Sequence, residues 1–257
     1  MDNGKPTLRL AVVADIHCTR KPDDRAKDLL SAMAQAADIL LLGGDLCDTG
    51  LSEEAEILAR HITSLKVPVV AVLGNHDFES GKAAEIVRIL SDAGVSMLDG
   101  KPCEIYGIGF AGVKGFAGGF DEAALQPWGE PTIKTFVHEA VEEALKLESA
   151  LAGLRTTKRI ALLHYSPIVD TVRGEPPEIF PFLGSSRLED PLNRYPVAAV
   201  FHGHAHRGAP EGTTKTGVRV YNVAKSVLQR ALPGAPPFKI FEVDRDDHGR
   251  NLNEAAG

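Results

Sequence analysis

The sequence predicts an α/β fold: a parallel sheet with helices on its faces, layered against a second sheet of antiparallel or mixed pairing. Three observations predict it. Short, nearly continuous apolar runs alternate with amphipathic helical stretches early in the chain, the pattern of βαβ units. Each of those apolar runs stops at a polar cluster, as strands do where an open sheet binds its ligand. The late strands are joined by short connections, which suit antiparallel neighbours.

The elements follow in order. Leu8 to Ala14 is apolar except for Arg9, too short for a typical helix and rich enough in Val and Leu for a buried strand. Asp15-Ile16-His17 comes directly after it. Arg25 to Ala37 places Leu29, Leu30, Met33 and Ala37 on one helical face. Ile39 to Leu42 is a second strand, ending in Gly43-Gly44-Asp45. Ser52 is expected to cap a helix whose stripe is Ile57, Leu58, Ile62 and Leu65. Val67 to Leu73 is a third strand, ending in Gly74-Asn75-His76-Asp77, and Lys82 to Ala93 is a helix stopped by Gly94. Cys103 to Gly109 reads as one strand that runs into a Gly-rich stretch reaching Phe120. Thr135 to Leu154 is a long helix with Val137, Val141, Leu145 and Leu151 on its apolar side. Arg159 to Leu163 and Val197 to Phe201 are strands that end at His164 and at His202-Gly203-His204. Val218 to Val223 and Phe238 to Val243 are the late strands. No internal repeat or low-complexity linker divides the chain, so 1–257 reads as a single domain with 244–257 as a mobile polar tail.

Composition narrows the function. The 257 residues are 44% hydrophobic and 25% charged, ordinary for a globular chain with a substantial core. A net charge of −7 with no basic stripe argues against nucleic acid as partner. A phosphate substrate remains compatible, because bound cations invert the local field. Three cysteines, Cys18, Cys47 and Cys103, show no paired spacing and fit a reducing compartment. The start of the chain lacks the features of a signal peptide, and no apolar run approaches the roughly 18 residues of a membrane span. These readings predict a cytoplasmic protein without a membrane partner. Oligomeric state is not legible.

The polar clusters carry the chemistry. Hard divalent or trivalent cations take oxygen and imidazole nitrogen as ligands. Asp15 and His17, two apart, share a side of an extended backbone. Asp45, on the next strand end, is placed to bridge two ions. Asn75 offers a neutral carbonyl oxygen, and His164, His204 and His206 complete the set. An Asp after a strand is by itself a common turn residue, and a lone His is commonly structural. Seven suitable ligands at strand ends are hard to reach by accident.

At this point the chain resembles the calcineurin-like metallophosphoesterase superfamily. The ordered pattern D-x-H, G-D-x-x-D, G-N-H-D/E, H and G-H-x-H stands here as Asp15/His17, Gly44-Asp45/Asp48, Gly74-Asn75-His76-Asp77, His164 and Gly203-His204/His206. It spans about Leu8 to Val223, and with Asp48 included it is similar to the class III cyclic-nucleotide phosphodiesterases. The resemblance implies a four-layer α/β/β/α sandwich, two mixed β-sheets flanked by helices, with a dinuclear centre of Mn, Fe or Zn. It implies one ion on Asp15, His17, Asp45 and His206 and another on Asp45, Asn75, His164 and His204. Many relatives carry a second His and Pro after the His that matches His164, where this chain has Tyr165-Ser166-Pro167.

Two such ions, about 3.5–4 Å apart, clamp a phosphoryl oxygen and a bridging hydroxide whose parent water has a pKa near about 7. In-line attack then expels the alcohol. His76 is the candidate to stabilise or protonate the leaving group, with Asp77 holding its ring or capping the helix that starts near Lys82, and Asp48 orienting a histidine or serving as a plain turn residue. Lys114, Arg173 and Arg187 are candidate anion contacts from segments that overhang the pocket. Tyr165 is a candidate for packing or substrate contact, and His202 faces away from His204 if the backbone is regular. The function expected is metal-dependent hydrolysis of a small-molecule phosphodiester or phosphomonoester, nucleotides included. The alternatives are a protein phosphatase and a non-catalytic scaffold of the same fold; a DNA nuclease is disfavoured by the acidic charge.

Overall fold

The computed structural model describes residues 7–21 and 24–244. Its first sheet is built by β1 (Thr7–Val13), β2 (Ile39–Gly43), β3 (Val69–Val72), β4 (Val95–Met97) and β11 (Lys239–Asp244), in the order β11-β1-β2-β3-β4. β1 to β4 are parallel; β11 adds to β1 antiparallel, with Leu10 opposite Phe241. The parallel strands are linked by α1 (Arg25–Ala36), α2 (Ser52–Thr63) and α3 (Ala83–Asp92). Because the strands follow one another in sequence order and such crossovers are right-handed, all three helices fall on one face. The other face is left apolar. β2 and β3 are buried along their whole length, which is why they read as continuous runs without a polar side chain.

The second sheet has the order β5-β6-β7-β8-β10-β9. Its members are β5 (Cys103–Ile105), β6 (Ile108–Val113), β7 (Arg159–Leu163), β8 (Ala199–His202), β9 (Glu211–Thr213) and β10 (Arg219–Asn222). β6, β7, β8 and β10 are parallel, and β5 and β9 are antiparallel edges. Both sheets are therefore mixed. α4 (Pro131–Gly153) and α6 (Glu189–Arg194) pack with each other, and α4 lies on β6, on the outer side. Shorter helices are α5 (Phe180–Leu183) and α7 (Lys225–Ala231). Among the described residues seven helices thus flank two mixed sheets, an α/β/β/α arrangement. Among the described residues no helix is long and apolar enough to cross a membrane.

The main core lies between the sheets and under α1 to α3. Leu10, Leu40, Leu42 and Val70 of the first sheet pack with Phe110, Ile160, Leu162 and Phe201 of the second. An aromatic cluster ties the two: Phe201 stacks on Tyr221 at 5.4 Å and meets Phe241 of β11 edge-on at 5.4 Å.

Several expectations need correction. Cys103 to Gly109 is not one strand but a hairpin, turned at Tyr106 (φ 53°) and Gly107 (φ 82°), so the first part of the Gly-rich stretch is β6 itself. Leu145 is 52% exposed, since the buried face of α4 runs through Val137, Ala140, Leu147, Ala150 and Leu151. Ser52 is the first helical residue, and its hydroxyl has no partner. The Glu54 carboxylate instead accepts from the N–H groups of Thr49 (2.9 Å) and Leu51 (3.3 Å). Asp244 is paired in β11; the rest of the expected tail, 245–257, lies outside the described residues.

The packing sets a stability contrast. Phe201→Ala should lower the unfolding free energy by about 3–5 kcal/mol, and Leu145→Ala should stay within about 0.5 kcal/mol. Urea denaturation of both variants checks this.

Candidate metal centre

The carboxyl ends of the two sheets meet, and the polar clusters meet there. Ala14 N–H bonds to Val223 O, Asp15 N–H to Gly44 O, His17 N–H to Asp45 O and Gly203 N–H to His164 O, all at 2.9–3.1 Å. These bonds cross between loops that are distant in sequence. Under that constraint the backbone takes unusual conformations. Asp15 (φ 60°), His17 (φ 49°), Asp45 (φ 48°) and His204 (φ 68°) are left-handed, four of the six non-glycine residues with positive φ among the described residues. Asp and His tolerate this region better than most residues, at a cost of about 1–3 kcal/mol each. The expected reason for the pairing of Asp15 with His17, alternation along an extended strand, therefore does not hold. The two side chains converge because both residues leave the strand in left-handed turns.

Two glycines make the approach possible. A Cβ on Gly203 would lie 2.5 Å from the Ala14 Cβ and 2.7 Å from Asp15 Oδ2. One on Gly44, at φ +87°, would lie 2.5 Å from the His164 ring.

The seven residues come together in two groups that share Asp45. Ligand atoms of Asp15, His17, Asp45 and His206 all lie within 4.8 Å of one another, as do those of Asp45, His164 and His204. Asn75 joins the second group, its Oδ1 2.9 Å from His164 Nε2. Asp45 is divided between them: Oδ1 is 3.3 Å from His164 Nε2, and Oδ2 is 3.8 Å from His17 Nε2. His206 Nε2 is 3.2 Å from Asp15 Oδ1, and the His204 N–H donates to the same carboxylate.

Backbone carbonyls orient the imidazoles. Gly43 O accepts from His164 Nδ1 (3.0 Å), which turns Nε2 to Asn75 and Asp45. Phe182 O of α5 accepts from His204 Nε2 (3.1 Å), which leaves Nδ1 for the cluster. This is the arrangement by which outer groups fix the tautomer of a metal-binding histidine. The residues fit a cation on a further count: both ring nitrogens of His17 are buried without a hydrogen-bond partner. A stranded polar group of this kind costs about 1–3 kcal/mol, which a bound cation would remove.

The electrostatics agree. Burial drives His164 and His204 down to about 4, so both are neutral and able to ligate. Burial lowers His17 as well. Burial pushes the Asp15 carboxyl up, but the hydrogen bond from His206 and the surrounding imidazoles outweigh it and hold Asp15 at about 2. Burial and the Asp15 charge push Asp45 up. Two buried acids facing each other is a strain that a cation relieves.

His76 lies at the edge of the cluster, its ring 4.7 Å from that of His17 and its Nε2 4.0 Å from Asp45 Oδ2. Burial lowers its pKa, yet the Asp48 carbonyl and the acids around it outweigh this and raise it. The expectation that Asp77 holds this ring is wrong. Asp77 is fully buried and accepts from the N–H groups of Cys47 (2.8 Å), Gly74 (2.8 Å) and Leu46 (3.2 Å), tying the second and third motif loops together. The ring is held instead by Asp48, whose carbonyl accepts from His76 Nδ1 at 2.7 Å and whose carboxylate is 3.4 Å from His17 Nδ1.

The remaining candidates divide. Tyr165 is buried, its ring 4.3 Å from His204. Lys114 Nζ donates to Gly115 O (2.7 Å) and lies over the rings of Phe78, Phe116 and Tyr165, at 4.9–5.4 Å. Arg173 pairs with Asp170 (2.9 Å), and Arg187 donates to Leu125 O (2.8 Å). His202 is buried beneath the site, bonded to Thr171 Oγ1 and Gly203 O. The Gly43 and Phe182 carbonyls were not found from sequence, since a backbone acceptor has no residue signature. Nor were Ser226 and Arg230 of α7, which donate to the His206 carbonyl at 2.9 and 2.7 Å.

Residues 8–208 match the family model of the calcineurin-like phosphoesterases. Solved structures of similar fold include the phosphopantetheinyl hydrolase PptH from Mycobacterium tuberculosis, at 16% identity over 93% of this chain and 96% of that one, with a TM-score of 0.64. TT1561 of Thermus thermophilus aligns at 14% identity over 93% and 99%, with a TM-score of 0.56. GAP50, the anchor in the inner membrane complex of Plasmodium, aligns at 12% identity over 87% and 73%, with a TM-score of 0.50. At these identities the likeness is one of fold. No curated protein matches the chain.

The position of Asp77 gives a direct prediction. Asp77→Ala strands three buried N–H groups and should cost at least about 2 kcal/mol. Glu79→Ala, beside the His76 ring but on the surface, should change stability by less than about 0.5 kcal/mol. Unfolding curves in EDTA compare the two without metal.

Proposed function

The chain belongs to the calcineurin-like phosphoesterase family, which is metal-dependent, and from that premise we propose that it hydrolyses a small-molecule phosphate ester at a dinuclear centre. The observation that carries the reading is the shared carboxylate: Asp45 stands between two groups of ligand atoms, one oxygen toward each. On this reading Asp15, His17, Asp45 and His206 hold one ion, and Asp45, Asn75, His164 and His204 the other. Mn, Fe and Zn all suit such a mixture of oxygen and imidazole donors. When bound, the ions supply Lewis acidity, which makes a water nucleophilic near neutral pH and neutralises phosphoryl oxygens.

The chain's own residues do the rest. Gly43 O and Phe182 O keep His164 and His204 in the tautomers that ligate. The Asp48 carbonyl keeps the proton on His76 Nδ1 and turns Nε2 toward the cluster, where it can donate to the departing ester oxygen. Asp77 contributes by holding the motif loops in register and touches no reacting atom on this reading. A scaffold role is the second reading, since GAP50 is an anchor of similar fold. All seven ligand side chains and His76 are present here and gathered at one place, which favours the enzyme.

The manganese-loaded protein should turn over bis-p-nitrophenyl phosphate or p-nitrophenyl phosphate, and their ratio separates diesterase from monoesterase. Inactivity toward both, under Mn, Fe and Zn, would sink the hydrolase reading. Asp45→Ala should bind fewer than two ions per chain by elemental analysis; a count of two would refute the bridge. His76→Ala should keep both ions yet lose about 10²–10⁴ in kcat.

A further inference from the structure

α7 connects β10 of the second sheet to β11 of the first, so it passes from one half of the fold to the other. Val227 and Leu228 fix it to the core. Three of its polar residues donate to carbonyls in the ligand loops. The Lys225 N–H donates to Ala14 O (3.0 Å) and Lys225 Nζ to Ile16 O (3.1 Å), so one residue grips the carbonyls on either side of Asp15. Ser226 Oγ (2.9 Å) and the Arg230 guanidinium (2.7 Å) both donate to His206 O, which uses both lone pairs of that carbonyl. Ser226 and Arg230 are four residues apart on the helix and therefore face the same way.

These carbonyls sit where the ligand geometry most needs support. Ile16 lies between Asp15 (φ 60°) and His17 (φ 49°), two candidate ligands in left-handed backbone, a conformation that persists only where the surroundings fix it. His206 keeps 45% of its side chain exposed, against 3% for Asp15, so packing does little to place its ring and its backbone has to. The loops that α7 grips carry three residues of one ligand group: Asp15, His17 and His206. The other group is held from elsewhere. Gly43 O and Phe182 O orient His164 and His204, and Lys114 O accepts from the His164 N–H.

We propose that α7 is the positioning element for one of the two ions: Lys225, Ser226 and Arg230 hold Asp15, His17 and His206 in ligating geometry and touch no substrate. This rests on the dinuclear reading and deepens it. The test titrates the metal-free full chain with manganese alone, by calorimetry. Lys225→Met, and Ser226→Ala combined with Arg230→Met, should each weaken one manganese site about 10–100-fold and leave the other unchanged. Lys225→Arg, which keeps a donor, should restore the affinity. Gln229→Ala, at an exposed position on the same helix, should match the wild type. The manganese concentration for half-maximal turnover of bis-p-nitrophenyl phosphate should rise in the weakened variants, with kcat at saturating manganese within about twofold of the wild type. Equal loss at both sites, loss at neither, the same loss in Gln229→Ala, or a fall in kcat that manganese does not restore overturns the proposal and leaves the hydrolase reading intact. If the wild type binds fewer than two ions, the dinuclear reading fails by itself. Metal-free crystal structures then decide: the 3.2 Å contact between His206 Nε2 and Asp15 Oδ1, kept in the wild type and lost in the Ser226/Arg230 double variant, supports the positioning role, and a contact kept in both overturns it.

Discussion

The rest of this structure depends on how closely the carboxyl ends of two sheets approach each other. At Gly203 a single methyl group would collide with both Ala14 and Asp15, and at Gly44 with the His164 ring. Nothing larger than hydrogen fits, so the loops that end β1, β2, β7 and β8 are pressed into one layer. Loop-to-loop hydrogen bonds and four left-handed Asp and His residues follow from that compression. Strain of this kind persists only where the surroundings over-determine the backbone. Here the surroundings are the shared core and the aromatic cluster of Phe201, Tyr221 and Phe241.

The same approach creates an electrostatic problem whose solution is the function. Two buried carboxylates, Asp15 and Asp45, stand among imidazoles that burial keeps neutral, and His17 has no hydrogen-bond partner for either ring nitrogen. As a purely structural arrangement this is unfavourable. The proposed pair of hard cations would relieve it, and the carbonyls at His164 and His204 set those rings in tautomers able to ligate. Single acids and histidines do not suggest this; their convergence on Asp45 is what supports the proposal.

Much of this was legible in the sequence, and the exceptions have physical causes. β2 and β7 were readable because strands buried on both faces are continuous apolar runs ended by polar clusters. The clusters were readable because metal ligation demands particular side chains in a particular order. The hairpin at Tyr106-Gly107 was missed because two short strands and a two-residue turn look like one strand. The seat of β11 beside β1 was not readable, since strand pairing over such a distance leaves no local trace. Asp77 was misassigned because its neighbour His76 suggested a partnership, whereas its acceptor oxygens satisfy backbone N–H groups that carry no sequence signal. Leu145 was misassigned because helical periodicity tolerates more than one face on a helix as long as α4.

The central claim is that the two ligand groups around Asp45 hold two ions at once. Anomalous diffraction from crystals grown with manganese tests it most directly. The account predicts two separate anomalous peaks, one among Asp15, His17 and His206, the other among Asn75, His164 and His204, with the Asp45 carboxylate contacting both. A single peak, or two peaks of which only one touches Asp45, would contradict it.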